Sequence, residues 1–188
     1  MKRAVWLAAA ILAAAAAFWW WTSERPEEGT IDLVEAFRAA EKRSNVDVML
    51  AFSIEPQTVN GETKRAIYMH PTSRVVYRNL LLPERAQLHA FLALKDEVYQ
   101  HATDGVYFRI GVAKDGQFTD LLKRHLDPHR NQADRGWVPV TVDLSAYAGQ
   151  TVDLILNTNS SPPGMGDNSM YDFAVIGEPT IRPGPPQS

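Results

Sequence analysis

The chain has 188 residues, a net charge of −3, 45% hydrophobic and 22% charged residues, and no cysteine. So mildly acidic a balance excludes a nucleic-acid binder, which needs clustered Lys and Arg, and the missing thiols exclude disulfide frameworks and cysteine chemistry. Twelve prolines and eleven glycines, many of them between short apolar runs, point to a turn-rich β protein.

The N-terminus reads as a membrane anchor. Met1-Lys2-Arg3 is basic, Ala4 to Trp21 is uninterruptedly apolar, and Glu24-Arg25-Pro26-Glu27-Glu28 follows. Eighteen helical residues span roughly 27 Å, close to the hydrocarbon thickness of a bilayer. Residues 1–22 are therefore predicted to be a cytoplasmic tip and a single transmembrane signal-anchor helix, with the lipid bilayer as its partner and the N-terminus inside. Phe18, Trp19, Trp20 and Trp21 mark the outer interface and Trp6 the inner one. A cleaved signal peptide is the other reading, since Ala13 to Ala17 offers A-x-A sites. Cleavage there would leave four aromatics at the new N-terminus, which favours retention. Nine of the eighteen residues are alanine. Ala4, Ala8, Ala9, Ala10, Ala13 and Ala14 sit at small-residue spacings that let a neighbouring helix approach closely.

Residues 23–30 form a linker, and 31–182 one extracytoplasmic domain. Thr30 is predicted to cap a short amphipathic helix with Ile31, Val34, Phe37 and Ala40 on one face, ending near Ser44-Asn45. The period then changes from about 3.6 to 2. Strands are predicted at Val46 to Ile54, Lys64 to His70, Arg74 to Leu81, Ala86 to Leu94, Gly105 to Ala113, Trp137 to Leu144, Thr151 to Thr158 and Tyr171 to Ile176. A short last strand covers Pro179 to Arg182. Alternation is clearest in Leu88-Ala90-Leu92-Leu94, Val106-Phe108-Ile110-Val112 and Val138-Val140-Val142. Gln117 to Gly136 reads as irregular, with a short helix around Leu121-Leu122. Asn159 to Asn168 is a loop and residues 183–188 a Pro-rich tail. Eight or nine such strands make an all-β, two-sheet jelly-roll sandwich.

Several stretches carry a resemblance. They are Asn60-Gly61-Glu62-Thr63-Lys64-Arg65-Ala66-Ile67, His70-Pro71-Thr72-Ser73-Arg74, Asp104-Gly105-Val106, Asp134-Arg135-Gly136-Trp137 and Val142-Asp143-Leu144-Ser145-Ala146-Tyr147-Ala148-Gly149-Gln150. Together they resemble the galactose-binding-like jelly-roll domains (discoidin or carbohydrate-binding-module type) of bacterial envelope proteins, from about Asp32 to Arg182. The resemblance implies the same sandwich, and the charges flanking the anchor place it in the periplasm, held at the bacterial inner membrane. Such domains bind sugars in some proteins and act as docking modules in others. Asp172-Phe173-Ala174-Val175-Ile176-Gly177-Glu178-Pro179 departs from the family's usual ending, with Ile176 where a tryptophan stands elsewhere. The resemblance also implies a structural calcium, for which Asp104, Asp134 and Asp172 are the candidate ligands. No other cofactor is expected.

A sugar or partner surface would draw on His125, His129, Arg130, Tyr147, Met165, Asn168 and Tyr171, whose rings and polar tips suit hydroxyl recognition. Trp137 and Tyr147 read first as packing aromatics. His125-Leu126-Asp127-Pro128-His129 has a zinc-like histidine spacing, but Pro128 interrupts a helix there and no third ligand accompanies it. Asp143 and Asp153 alternate with valines and are expected to face solvent. Hydrolase, phosphate-loop and metalloprotease motifs are missing from the sequence, so no enzymatic activity is expected. The leading expectation is a non-catalytic accessory or scaffolding subunit of a larger membrane protein complex, a respiratory or photosynthetic one for example. The alternative is a membrane-anchored carbohydrate-binding module for envelope glycans.

Overall fold

The computed structural model describes residues 29–164 and 168–184. The predicted anchor, with Trp6, Phe18 to Trp21 and the small-residue positions from Ala4 to Ala14, lies outside the described residues, as does Met165. Among the described residues no helix is long and apolar enough to cross a membrane.

Eleven strands build two antiparallel sheets. They are β1 (Ile31–Asp32), β2 (Glu41–Ser44), β3 (Phe52–Val59), β4 (Glu62–Met69), β5 (Ser73–Leu81), β6 (Ala86–Leu94), β7 (Val106–Lys114), β8 (Gln117–Leu126), β9 (Val138–Asp143), β10 (Thr151–Asn159) and β11 (Ala174–Pro183). One sheet runs β3-β4-β11-β6-β9, with β1 added on β11, and the other runs β2-β5-β10-β7-β8. From β4 onward the chain passes back and forth between the sheets, apart from the β7–β8 hairpin. The late strands β10 and β11 insert at the centres, which is jelly-roll winding.

The alternating residues lie where the pattern puts them. Val106, Phe108, Ile110 and Val112 of β7 are at most 1% exposed, and Leu88, Ala90, Leu92 and Leu94 of β6 at most 3%. They meet Val75 and Tyr77 of β5, Val152, Leu154 and Leu156 of β10, and Ala174 and Ile176 of β11 in one core between the sheets. The Tyr77 hydroxyl donates to the Leu33 carbonyl at 2.9 Å, and burial pushes its pKa up. Ile176, which stands where the resembled domains carry a tryptophan, is core.

Four expectations are corrected. The N-terminal helix shrinks to α1 (Leu33–Ala36), capped by Asp32 rather than Thr30. The Asp32 carboxylate accepts from the Val34 and Glu35 amides at 2.8 and 3.1 Å, and pairing of β2 with β5 ends any helical continuation. Its apolar face nonetheless points inward, with Val34, Phe37 and Ala40 buried. Val46 to Leu50 is not strand. The Asp47 side chain accepts from the Met49 amide at 2.8 Å and caps a helical turn, α2 (Val48–Ala51). The stretch expected to be irregular contains β8. Its pairing with β7 shifts register between Ile110 and Gly111, so the residues opposite the outward positions of β7 are Phe118, Asp120, Lys123 and His125. A break in period 2 hid the strand. Finally, the two C-terminal strands are one, β11, interrupted by a register shift between Gly177 and Thr180.

Candidate functional site

The outer face of the six-stranded sheet is covered. Val59, Ala66, Ala93 and Val175 form a small cluster there beneath Tyr68, Tyr99 and Trp137. The Trp137 indole donates to the Glu62 carbonyl at 2.9 Å and lies so close to Gly177 that a Cβ there would meet the ring at 2.8 Å. The Lys64 ammonium sits 3.9 Å from the Phe91 ring centre. Burial, first of all, pushes the phenols of Tyr68 and Tyr99 up to about 12. Trp137 thus packs, as expected, but on the back of a sheet rather than between sheets.

The surface residues predicted from sequence are not brought into one site. Tyr147 lies in the turn Ser145–Tyr147 before β10, whereas Asn168 and Tyr171 follow the far end of that strand. The Tyr171 ring is stacked on His101, with ring centres 3.8 Å apart, and meets Phe173 edge-on at 6.4 Å. The Asn168 side chain accepts from the Met170 amide. His125 Nε2 contacts the Asp104 carbonyl at 2.7 Å and His129 Nδ1 the Tyr99 carbonyl at 3.3 Å. Arg130 pairs with Asp127 at 3.0 Å. Asp143 is exposed, while the Asp153 carboxylate accepts from Arg78 and the Asn79 amide.

The calcium candidates do not assemble either. Asp134 accepts from Arg124 and from the Asp127 amide, one bond to each carboxylate oxygen, and Asp172 accepts from the Thr103 hydroxyl at 2.7 Å. Among the described residues no group of three or more His, Cys, Asp or Glu is arranged to hold a metal. Asp104 keeps one buried carboxylate oxygen without a hydrogen-bond partner, and no cluster of this kind forms around it among the described residues.

What the structure does assemble is a polar trough on the outer face of the five-stranded sheet. Registered pairing aligns Arg43 of β2 with Arg74 of β5, Arg74 with Asn157 of β10, Asn157 with Arg109 of β7, and Arg109 with Lys123 of β8. Beside this row, Glu41 registers with Val76, Val76 with Ile155, Ile155 with Gly111, and Gly111 with Asp120. The result is a floor of Val76 and Ile155, 3% and 7% exposed, between two acidic ends. A groove of about 380 Å³ opens along the basic row, lined by Arg43, Arg74, Arg109 and Asn157 with Asn45 and Asn159 at one end.

Phe118 lines the neighbouring hollow with Arg78, Asn79 and Asp153 and reaches this groove through Arg109. A Cβ on Gly111 would lie 2.7 Å from its ring, so only glycine admits the ring over the sheet. Phe118 stays 40% exposed, and the Arg109 guanidinium lies 5.6 Å from the ring centre. Arg109 also donates twice to Asp120, at 3.0 and 2.7 Å. These bonds hold the Asp120 carboxyl below its ordinary range, with Lys123 adding to the effect and partial burial opposing it. Glu41 is held down in the same way by Arg78 and then Arg43.

Because both folded-state values lie below the unfolded ones, these pairs stabilise the native state above about pH 4.5. Their contribution is lost as pH falls through the lowered values. Thermal melts of the wild-type chain should therefore drop below about pH 4. D120N should show a smaller drop over the same range, and an equal drop would contradict this account.

None of the trough residues was singled out from sequence. Their only signal was phase: Tyr107, Arg109 and Gly111 fall between the core positions of β7, and Arg74 and Arg78 between those of β5.

No family model matches the chain. A protein of Archaeoglobus fulgidus, described only as uncharacterised, is 31% identical over 130 residues, which is 66% of this chain and 32% of that protein. The chain thus spans about a third of that relative's length. Among solved structures, the carbohydrate-binding module CBM51 of Clostridium perfringens GH95, in complex with methyl-galactose, is 18% identical. The match covers 81% of this chain and 99% of that one, with a TM-score of 0.49. The C-terminal CBM6 of the laminarinase LamC of Zobellia galactanivorans gives 16% identity, 81% and 96% coverage, and a TM-score of 0.45. The K1 cleaved adhesin domain of the Porphyromonas gingivalis Lys-gingipain gives 13% identity, 83% and 98% coverage, and a TM-score of 0.47. At these levels no residue role and no ligand carries over to this chain.

Proposed function

We propose that the domain is a non-catalytic glycan-binding module, presented outside the cytoplasm by the apolar N-terminal segment. The observation that carries this reading is the trough itself. A half-exposed aromatic ring, Phe118, contacts Arg109, one end of a cross-strand row of Arg and Asn side chains that borders an apolar floor. Sugars present that combination in reverse, with C–H faces that stack on a ring and hydroxyls that bond planar polar groups. The carboxyls flanking the trough are ion-paired and held ionised, which suits them poorly to general-acid work. The scaffolding expectation rested on the predicted anchor and on the absence of catalytic motifs, and the anchor lies outside the described residues.

The test is a glycan array probed with the full chain in mild detergent, followed by titration of any hit. Loss of one stacking contact is worth about 1 kcal/mol, so F118A should weaken the hit roughly fivefold. Retention of no glycan at all, or hits indifferent to F118A, would overturn the reading.

A further inference from the structure

We infer that the groove receives an anionic oxygen group of a glycan, a uronate carboxylate or a sulfate ester, at Arg74 and Asn157. This rests on the glycan-binding reading and names the ligand class of the same site.

Asn157 is 4% exposed. Its Oδ1 accepts from Arg74 Nε at 2.7 Å, which fixes the amide's orientation. Its Nδ2 is buried with no hydrogen-bond partner. A buried donor without an acceptor costs free energy that a merely structural residue would avoid. Arg74 shares the shortage. Among the described residues its guanidinium has no carboxylate partner, although six other arginines (Arg43, Arg65, Arg78, Arg109, Arg124 and Arg130) are each paired.

The neighbours sharpen the point. Arg43 stands directly across the ladder from Arg74, and like charges so placed are destabilising. The nearest carboxylates in the adjoining row are already engaged. Glu41 holds Arg43 and Arg78, and Asp120 holds Arg109 and Lys123. One neutral hydroxyl would satisfy only part of this set. A carboxylate or sulfate offers several lone pairs to the Arg74 fork and to Asn157 Nδ2 at once, and it also relieves the Arg43–Arg74 repulsion.

The test compares matched pairs on the full chain in detergent micelles: oligogalacturonate against its methyl ester, and dextran sulfate against dextran. The charged member of at least one pair should bind tenfold or more tightly than its neutral partner. R74Q and N157D should each remove that preference, while K95Q, over Tyr68 on the other sheet, should leave it. A preference confined to the first pair identifies a uronate, and one confined to the second a sulfate ester. Arg74 is exposed, so R74Q reports on binding even if N157D disturbs the fold. Equal binding of charged and neutral members would overturn the anion assignment yet leave the glycan reading intact. A charge preference that survives R74Q would overturn the site. Failure to bind any glycan would take both readings together.

Discussion

Phe108→Ala should be among the most damaging single substitutions in the domain. The ring is fully buried on β7, a central strand of the five-stranded sheet, among core residues contributed by both sheets. Truncating a buried Phe removes its transfer free energy and leaves a cavity that close-packed neighbours fill only in part, a loss of about 3–5 kcal/mol. For a domain of this size, each kcal/mol moves the thermal midpoint by about 2–4 °C, so a fall of roughly 6–20 °C is expected. The comparison is Phe118→Ala. That ring lies outside the sandwich and is 40% exposed, so its removal should shift the midpoint far less. Melts followed by circular dichroism on both variants decide the matter, and similar falls would contradict the placement of Phe108.

Gly105→Ala should rival it, for a different reason. Gly105 has φ +79°, and a Cβ there would lie 2.3 Å from the Leu126 carbonyl oxygen and 3.0 Å from the Asp127 Cα. Those neighbours are backbone and cannot swing away. The left-handed conformation costs an L-residue about 1–2 kcal/mol, and overpacking adds typically 1–3, giving roughly 2–5 kcal/mol together. The damage should spread. The Gly105 amide donates to the Thr103 hydroxyl, which donates to the buried Asp172 carboxylate, and Asp104 next to it holds His125 through its carbonyl. Gly116→Ala separates the two causes. It shares the conformation, φ +76°, but a Cβ there meets nothing within 4 Å. It should cost only about 1 kcal/mol. If denaturant unfolding gives the two variants equal losses, the close approach to β8 is wrong.

The middle strands were legible because each has one face in the core and one face out, and period 2 survives in the residues themselves. Leu88 to Leu94 and Val106 to Val112 are of this kind. Where the backbone departs from period 2, reading failed. The bulge at Leu121 threw the outward positions of β8 out of step, and the β11 irregularity after Gly177 made one strand look like two. Near the N-terminus two aspartates decided the outcome. Asp32 and Asp47 each cap a single turn through their side chains, a local hydrogen-bond competition that overrides the apolar pattern around them.

The candidate site was the least legible part. Arg43, Arg74, Arg109, Lys123 and Asn157 come from five strands, only two of which, β7 and β8, are joined by a tight hairpin, and nothing in their local surroundings marks them out. The sequence by itself determined the class of the domain, an all-β sandwich whose alternating residues name most of its core, because burial of apolar side chains follows directly from strand period. Only the tertiary structure decided which outward residues face one another, since register and strand order come from pairing between distant segments. That pairing is what lines up four cations and a buried amide on one face, with Phe118 laid beside them over Gly111.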